Sequence, residues 1–384
     1  MSAEPPPASW DIPGQRRAAA VLQGACARDE VSHAWAFVGP AGVGQEQAAR
    51  TLAAALNCAQ AAEGAPCGAC DVCQRCRRGA FPSFWEFAPS GSFHRVNEVR
   101  EQWLATAFRS AVEGRWKVLR IIDAHRMNEA AANAFLKGLE EPPPNAVWVL
   151  DIADPDELPD TILSRCRTVR FVAWTPDELR AETRRLGLDD DQDRALAVRA
   201  SLGSPVALAR LAAPGGLDDL RMHREIPRRL REQGSGYAVL AARQLDEEGK
   251  RRSAALKAEG RAELEALAEL YGDALPRGVA KQVEDGLSRR EREARLSTLQ
   301  AALDDLVGWY RDCLLVAAGG HPAQALHADD AKALQADAAA SSPAATLRAI
   351  DLVLAAREDL ELNVQQTLAL EALFLELANL ALTT

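Results

Sequence analysis

The sequence lacks any apolar run long enough to cross a bilayer. A membrane-spanning helix needs about 20 consecutive apolar residues, and tracts such as Ala53–Leu56 and Leu314–Ala318 are far shorter. The first ten residues, Met1–Trp10, are rich in proline and lack the charged start and apolar core of a secretory signal. We therefore expect a cytoplasmic protein without a membrane partner.

The sequence also lacks an excess of positive charge. It has 45 Lys and Arg residues against 55 Asp and Glu residues, which gives a net charge of −10. Because a domain that coats nucleic acid alone is usually basic, this balance argues against an autonomous DNA binder, although a subunit of a DNA-handling assembly stays possible. Residues 246–295 are dense in both charges. We interpret them as a solvated helical face, with a DNA-facing surface as the alternative.

The pattern of apolar runs predicts an α/β region followed by an all-helical one. Strands are expected at four short apolar runs, and a helix is expected over Glu129–Glu141, where three prolines end it. Strands that alternate with helices indicate a parallel sheet with helices on both faces. The four predicted strands are Ala34–Val38, Val118–Asp123, Ala146–Leu150 and Val169–Val172.

The second half of the sequence shows only helical patterns. Short helices are expected over Asp177–Leu186 and Asp191–Leu202 and after Ser204, and Gly215-Gly216 is the expected boundary before the last helical region. Leucines recur there at steps of three and four residues, which predicts helices that pack into a core. The resulting segments are 1–174, 175–216 and 217–384.

A glycine-rich turn, Gly39–Gly44, lies between the first predicted strand and a helix, the position of a phosphate-binding loop. Gly39, Gly42 and Gly44 let such a loop turn tightly and direct N–H groups at an anion. A functional loop continues with Lys, which neutralises the phosphates, and with Ser or Thr, which binds Mg²⁺. Here Gln45 and Glu46 follow. Neither supplies that chemistry, and we expect ATP binding to be lost.

A second motif of the nucleotide site lacks the glutamate that catalyses hydrolysis. Ile121-Ile122-Asp123 resembles the end of a Walker B strand, in which Asp123 would orient Mg²⁺ through water. The glutamate that polarises the attacking water in hydrolysing proteins is replaced by Ala124. An arginine that could serve a neighbouring site is still present, since Arg165 lies between Ser164 and Cys166 after the third predicted strand. Such an arginine can stabilise charge in a partner's transition state; an internal ion pair is the alternative role.

Five of the eight cysteines crowd into one segment. Cys58, Cys67, Cys70 and Cys73 supply four thiolates, the number that a tetrahedral structural zinc site requires. Cys76 is a possible alternative ligand. A dithiol redox role is the competing interpretation, but the overlapping CxxC spacings favour zinc. No histidine or carboxylate in the segment opens a catalytic position, so we expect a structural site.

Taken together, these motifs resemble the delta-prime subunits of the bacterial DNA polymerase III clamp loader, which are AAA+ proteins. The most specific segments are Asn133–Pro143, which reads Asn-Ala-Phe-Leu-Lys-Gly-Leu-Glu-Glu-Pro-Pro, and Ser164-Arg165-Cys166. Further matching segments run nearly end to end, and the degraded loop favours delta-prime over the ATP-hydrolysing gamma/tau subunit. The further segments are Gly203-Ser204-Pro205, Trp309-Tyr310-Arg311-Asp312, Leu362-Asn363 and Glu371.

The resemblance implies an architecture and a role. Residues 1–174 would form an AAA+ core with degenerate Walker A and B motifs and a zinc module at 58–76. Residues 175–216 would form a small helical lid, and 217–384 a helical collar for oligomerisation. The chain would join gamma/tau and delta subunits in a hetero-pentamer and, through it, act on the sliding clamp and primer–template DNA. It would not hydrolyse ATP itself, and Arg165 would be an arginine finger.

Two other functions remain open at this point. One is an ATP-hydrolysing gamma/tau-like motor with an unusual loop. The other is a free-standing zinc or thiol-redox module.

Overall fold

The structure is a computed structural model, and it describes residues 10–89, 93–270, 277–361 and 365–382. The chain divides into two compact units. Unit 1 comprises Met1–Glu178 and Leu264–Gly286, and unit 2 comprises Leu179–Glu263 and Leu287–Thr384.

Unit 1 contains a five-stranded parallel sheet. Its strand order is β2-β3-β4-β1-β5, and every paired neighbour runs parallel. All five residues of β1 and of β3 are buried, as is typical of parallel strands covered on both faces. The strands are β1 Ala34–Val38, β2 Phe84–Phe87, β3 Lys117–Ile121, β4 Ala146–Ile152 and β5 Arg167–Arg170.

Helices cover both faces of this sheet. One apolar cluster joins Trp35, Phe37 and Val118 to the first two helices. The opposite cluster contains Leu119 and an edge-to-face aromatic series, in which the ring of Phe135 lies 5.6 Å from Trp103 and 5.0 Å from Trp148. The helices are α1 Arg16–Ala27, α2 Gln45–Asn57, α3 Asp71–Arg77, α4 Val96–Glu98, α5 Ala105–Phe108, α6 Glu129–Glu140 and α7 Asp160–Leu163, with a π-helical turn Val99–Leu104 between α4 and α5.

The described remainder of the chain contains no strand, only helices and their connections. Leu299, Leu303 and Leu306 are fully buried, and Leu370, Leu373 and Leu377 are buried in the same unit 2 core, so the predicted leucine stripes are core residues. The α-helices are α8 Pro176–Arg185, α9 Asp191–Ala200, α10 Pro205–Ala212, α11 Gly216–Gln233, α12 Ser235–Leu270, α13 Arg277–Ala317, α14 Ala331–Ala339, α15 Pro343–Glu361 and α16 Gln366–Leu382.

The predicted fold class is confirmed in its architecture: a parallel sheet flanked by helices, followed by a largely helical region. In unit 1, the strand β2 and the helices α1, α3, α4, α5 and α7 were not predicted. The three-segment division at 174 and 216 stays a prediction. In the charged stretch, Lys250 pairs with Asp246 and Arg251 with Asp219.

Leu362 and Asn363 lie outside the described residues. No helix among the described residues is long and apolar enough to cross a membrane.

Candidate functional site

The glycine-rich loop has the backbone conformation of a phosphate loop. It follows β1 directly, and Gly44 caps the first turn of α2 with a φ of 136°. Gly39 has a φ of 153°, and a Cβ atom there would lie 2.2 Å from the carbonyl oxygen of Phe171. Because only glycine avoids this clash, the loop requires glycine at that position. The sequence prediction that Gly39, Gly42 and Gly44 form a tight turn between a strand and a helix is confirmed.

Gln45 fills the interior of the loop. Its side-chain oxygen accepts the N–H of Val43 at 3.1 Å, and its amide nitrogen donates to the carbonyl oxygens of Pro40 at 2.6 Å and Gly39 at 3.4 Å. The residue is 4% exposed. An N–H group that a phosphate would need is therefore already bonded within the protein, and a backbone loop that is satisfied internally offers less to an anion.

The outer side of the loop is joined to distant segments of unit 1. The carbonyl oxygen of Val43 accepts hydrogen bonds from the Gln15 amide and from the Trp174 indole, both at 3.1 Å. Gln15 is buried and also bonds the N–H and carbonyl of Val172. The loop thus connects the segment before α1 to the segment after β5.

Glu46, at the position of the Mg²⁺-binding hydroxyl, belongs to an ion-pair network beneath α2. It pairs with Arg50 at 2.5 Å and lies 3.8 Å from Arg120 of β3. Arg120 also pairs with Glu86 at 2.6 Å and, through two nitrogens at 2.6 and 2.8 Å, with Asp151. These residues lie near the carboxyl ends of three adjacent strands, where ligands of open α/β sheets usually bind. Here a guanidinium lies among carboxylates.

Burial and charge act against each other in this network. Burial alone would lower the pKa of Arg120, but the charges of Asp151, Glu86 and Glu46 raise it. Burial raises the pKa of Asp151 to about 6, although Arg120 opposes the shift. Both groups are therefore charged at neutral pH, and they form a buried ion pair.

The Walker B position has a left-handed residue, Asp123, and no acid after it. Asp123 follows β3 in the left-handed conformation, with a φ of 50° and a ψ of 52°, and lies 3.8 Å from Arg126. Ala124 is fully buried in the core. The position after Asp123 therefore offers no carboxylate that could polarise a water molecule.

Arg165 lies on the surface of unit 1, just after α7. One terminal nitrogen donates to the carbonyl oxygen of Thr161 at 2.7 Å, and the other pairs with Glu140 at 2.9 Å. Ser164 caps its own turn by donating to the same Thr161 carbonyl at 3.5 Å. Cys166 packs inward against the core, and burial raises its pKa to about 12. Only the arginine of this triplet presents charged donors to the surroundings.

The structure brings Cys58, Cys67, Cys70 and Cys73 together. Their sulfur atoms all lie within 4.8 Å of one another, with Cys58–Cys70 at 3.8 Å, Cys67–Cys73 at 3.9 Å and Cys70–Cys73 at 3.4 Å. A tetrahedral ion with metal–sulfur bonds of about 2.3 Å places its sulfurs about 3.8 Å apart. The four positions fit a metal ion. Cys76 is not in this group; it is buried in the core, and burial raises its pKa.

Local turns produce this arrangement of sulfurs. Glu63 and Gly64 have φ values of 51° and 72°, the conformation of a tight turn, and a Cβ atom on Gly64 would lie 2.3 Å from the Gln23 carbonyl oxygen. The turn returns the chain from Cys58 towards Cys67. The N–H groups of Cys70 and Ala69 lower the pKa of Cys67 to about 6, and this favours the thiolate that a metal requires.

The sequence reasoning did not identify Arg120, Glu86 and Asp151 as a charged network. A signal was available, because Arg120 and Asp151 each lie between apolar residues of a buried strand, and charged residues are rarely buried unless they are paired. Gln15 and Trp174 carried no such signal, since a single glutamine or tryptophan is common in any segment.

The parallel sheet and the glycine-rich turn between β1 and α2 have the arrangement of a phosphate-loop fold. Residues 14–175 match the family model described as "DNA polymerase III, delta subunit". The chain is 32% identical over 209 residues to the DNA polymerase III subunit gamma/tau of Mycobacterium tuberculosis H37Rv, covering 52% of this chain and 36% of that protein. It is 33% identical over 170 residues to the subunit tau of Escherichia coli K12, covering 44% and 26%. The resemblance to AAA+ clamp-loader subunits is thereby confirmed for this part of the chain.

Among solved structures, a gamma-subunit-related protein of Thermotoga maritima is similar over 94% of this chain and 99% of its own, with 16% identity and a TM-score of 0.41. The chain spans about a third, or less, of the length of the curated relatives just described.

Proposed function

We propose that the chain is a delta-prime-type clamp-loader subunit that does not hydrolyse ATP and that supplies Arg165 to the ATP site of a neighbouring motor subunit. In this proposal it assembles with gamma/tau and delta subunits in a hetero-pentamer, in the cytoplasm, and helps to load the sliding clamp onto primed DNA. The four clustered cysteines hold a structural zinc ion. The divisions at 174 and 216 separate the AAA+ core, the lid and the collar.

One observation carries the proposal: Gln45 occupies the phosphate loop from within. Its amide bonds both an N–H and two carbonyl groups of the loop, with Val43 and Pro40 as the closer partners at 3.1 and 2.6 Å. A triphosphate would have to break these bonds without gaining the lysine charge that normally compensates it. It would also approach the carboxylate of Glu46, which is 53% exposed.

The candidate finger differs from the loop in its exposure. Arg165 is 36% exposed, and its ion pair is with a partner that is 52% exposed. Exposed pairs of this kind contribute about 0 to 1 kcal/mol, so the ion pair with Glu140 does not prevent the guanidinium from also binding a phosphate. An arginine in that role can accelerate phosphoryl transfer by about 10³- to 10⁵-fold at the site that it serves.

A gamma/tau-like motor is the second candidate, and the identity to gamma/tau subunits favours it. The two candidates differ in a direct measurement. The purified chain should show no saturable ATP binding by calorimetry and no turnover, whereas a motor would show both. ATP turnover by the purified chain at a normal AAA+ rate would refute the delta-prime assignment.

Arg165 is tested in the reconstituted assembly. Arg165→Ala should leave assembly intact and should remove the part of DNA-stimulated ATP turnover that comes from the adjacent site. Arg170→Ala is the matched control, because Arg170 is also an exposed arginine and lies five residues further on in β5. Equal turnover in the Arg165→Ala and Arg170→Ala assemblies would contradict the finger role.

A further inference from the structure

The contacts of Arg165 divide its donors into two sets. A guanidinium has five N–H donors in a fixed plane. One donor on each terminal nitrogen is engaged, one by the Thr161 carbonyl and one by Glu140. For the other three donors, no partner is recorded among the described residues. Two hydrogen bonds therefore fix the plane of the guanidinium, and its remaining N–H donors can bind another group.

The backbone at Glu140 is held close to the core of unit 1, although the side chain of Glu140 is exposed. Glu140 is the last residue of α6, and its neighbour Leu139 is 2% exposed. The start of α6 is held by Asn128, whose side chain accepts the N–H of Ala131. Arg165 is anchored similarly, because Ile162 of α7 is fully buried. The carboxylate and the guanidinium thus meet at the surface, each next to a helix with a buried residue.

Helix stability does not account for an acid at position 140. The C-terminus of a helix carries partial negative charge and disfavours carboxylates, yet α6 ends with Glu140, and Glu141 follows as its cap residue. A residue that breaks a local rule without local compensation is expected to serve another purpose. The contact with Arg165 supplies one for Glu140. No contact between Glu141 and Arg165 is recorded among the described residues.

We propose that Glu140 is a positioning residue for Arg165, which it orients towards the phosphates of a neighbouring subunit's nucleotide; this inference rests on the proposed function. An unrestrained arginine side chain samples many rotamers, and holding it in the reactive orientation removes part of that entropic cost from the catalytic step. The contribution is that of one exposed ion pair, so it is much smaller than that of Arg165 itself.

The test measures the rate of ATP turnover by the reconstituted assembly. The Arg165-dependent part of this rate is the wild-type rate minus the rate of the Arg165→Ala assembly. Glu140→Ala should lower this part about two- to fivefold, through kcat and with KM unchanged. Glu140→Gln keeps the acceptor oxygen and should recover most of the loss. Glu141→Ala removes the same charge one residue away and should have no effect.

The double variant Glu140→Ala/Arg165→Ala decides whether Glu140 acts through Arg165. If it does, the double variant equals Arg165→Ala alone. A further loss in the double variant, or unchanged or faster turnover in Glu140→Ala, overturns the inference and leaves the finger role standing. If Arg165→Ala itself has no effect, the finger role fails and the inference fails with it.

Discussion

The buried guanidinium of Arg120 can be removed by Arg120→Met, which keeps much of the side-chain volume and deletes the charge. In the wild type, Arg120 makes two bonds of 2.6 and 2.8 Å to Asp151 and one of 2.6 Å to Glu86. The side chains of Asp151 and Glu86 are only 13% and 16% exposed. The substitution therefore leaves two nearly buried carboxylates close together, and among the described residues Glu86 keeps a cation, Arg50, at 3.5 Å.

The expected loss in the free energy of unfolding depends on whether one or both partners of a buried ion pair are removed. Removing one partner of such a pair typically costs about 3–5 kcal/mol, whereas replacing both by apolar groups is often close to neutral. We expect Arg120→Met to lower the free energy of unfolding of unit 1 by about 3–5 kcal/mol at pH 7.5. Arg120→Met/Asp151→Leu should recover most of this loss. Arg17→Met, at an exposed arginine of α1, should change it by about 0.5 kcal/mol or less.

The loss should also depend on pH with a definite sign. Without Arg120, the pKa of Asp151 in the folded state rises further above its unfolded value. A raised pKa in the folded state means that stability is retained below the unfolded pKa and lost as pH rises through the folded pKa. The deficit of Arg120→Met should therefore be smaller at pH 5 than at pH 8.

Urea unfolding followed by tryptophan fluorescence is a suitable measurement. Seven of the eight tryptophans lie before residue 175 and one, Trp309, lies in unit 2, so the signal reports mainly on unit 1. A deficit below about 1 kcal/mol at pH 7.5, or one that grows on acidification, would refute the role that we assign to Arg120.

Two further predictions concern other parts of the chain. Cys73→Ser should reduce bound zinc from about one ion per purified chain to a small fraction. The control Cys76→Ala, also at a buried cysteine of α3, should retain the zinc. Equal zinc in the two variants would contradict the four-cysteine assignment. In unit 2, His223 is fully buried and lies 2.9 Å from Asp305 and 2.9 Å from Glu248, and these two acids overcome burial to raise its pKa to about 9. The stabilisation from protonated His223 is complete below its unfolded pKa of about 6.5 and is lost as pH rises through 9. This ion pairing should contribute about 3 kcal/mol to the free energy of unfolding, and His223→Gln should abolish it. The measurement compares the unfolding free energies of the two proteins from pH 6 to pH 10.

The sequence was sufficient to predict the parts of the fold that rest on local patterns. The strand and helix on either side of Gly39–Gly44 and the helix Glu129–Glu140 were expected because apolar periodicity and prolines determine them. The edge strand Phe84–Phe87 was missed because it is only four residues long and carries Glu86. Its assignment as a strand depends on pairing with Lys117–Ile121, and the sequence alone does not reveal that pairing.

The residues of the site could be predicted from the sequence, but their hydrogen bonds and ion pairs could not. The cysteine spacing indicated a four-sulfur site, and the four sulfurs do lie together. Substitution of the lysine by Gln45 indicated that a charge was missing, yet nothing in the sequence indicated that the glutamine would bond the loop from inside. The pairing of Glu46 with Arg50 and Arg120 likewise depends on three elements that are distant in sequence.

These connections change what the degenerate loop means physically. Buried N–H and carbonyl groups must be bonded, and leaving one unsatisfied costs about 1–3 kcal/mol. A phosphate loop that has lost its ligand therefore needs substitutes, and Gln45 supplies both a donor and an acceptor to the loop backbone. The single substitution Gln45→Lys would remove the hydrogen bonds between Gln45 and the loop. It would not restore a Mg²⁺ ligand, because Glu46 would still occupy the next position. Val43 and Gln45 are buried in unit 1 and bonded to their surroundings, whereas Arg165 keeps a charged edge on the surface.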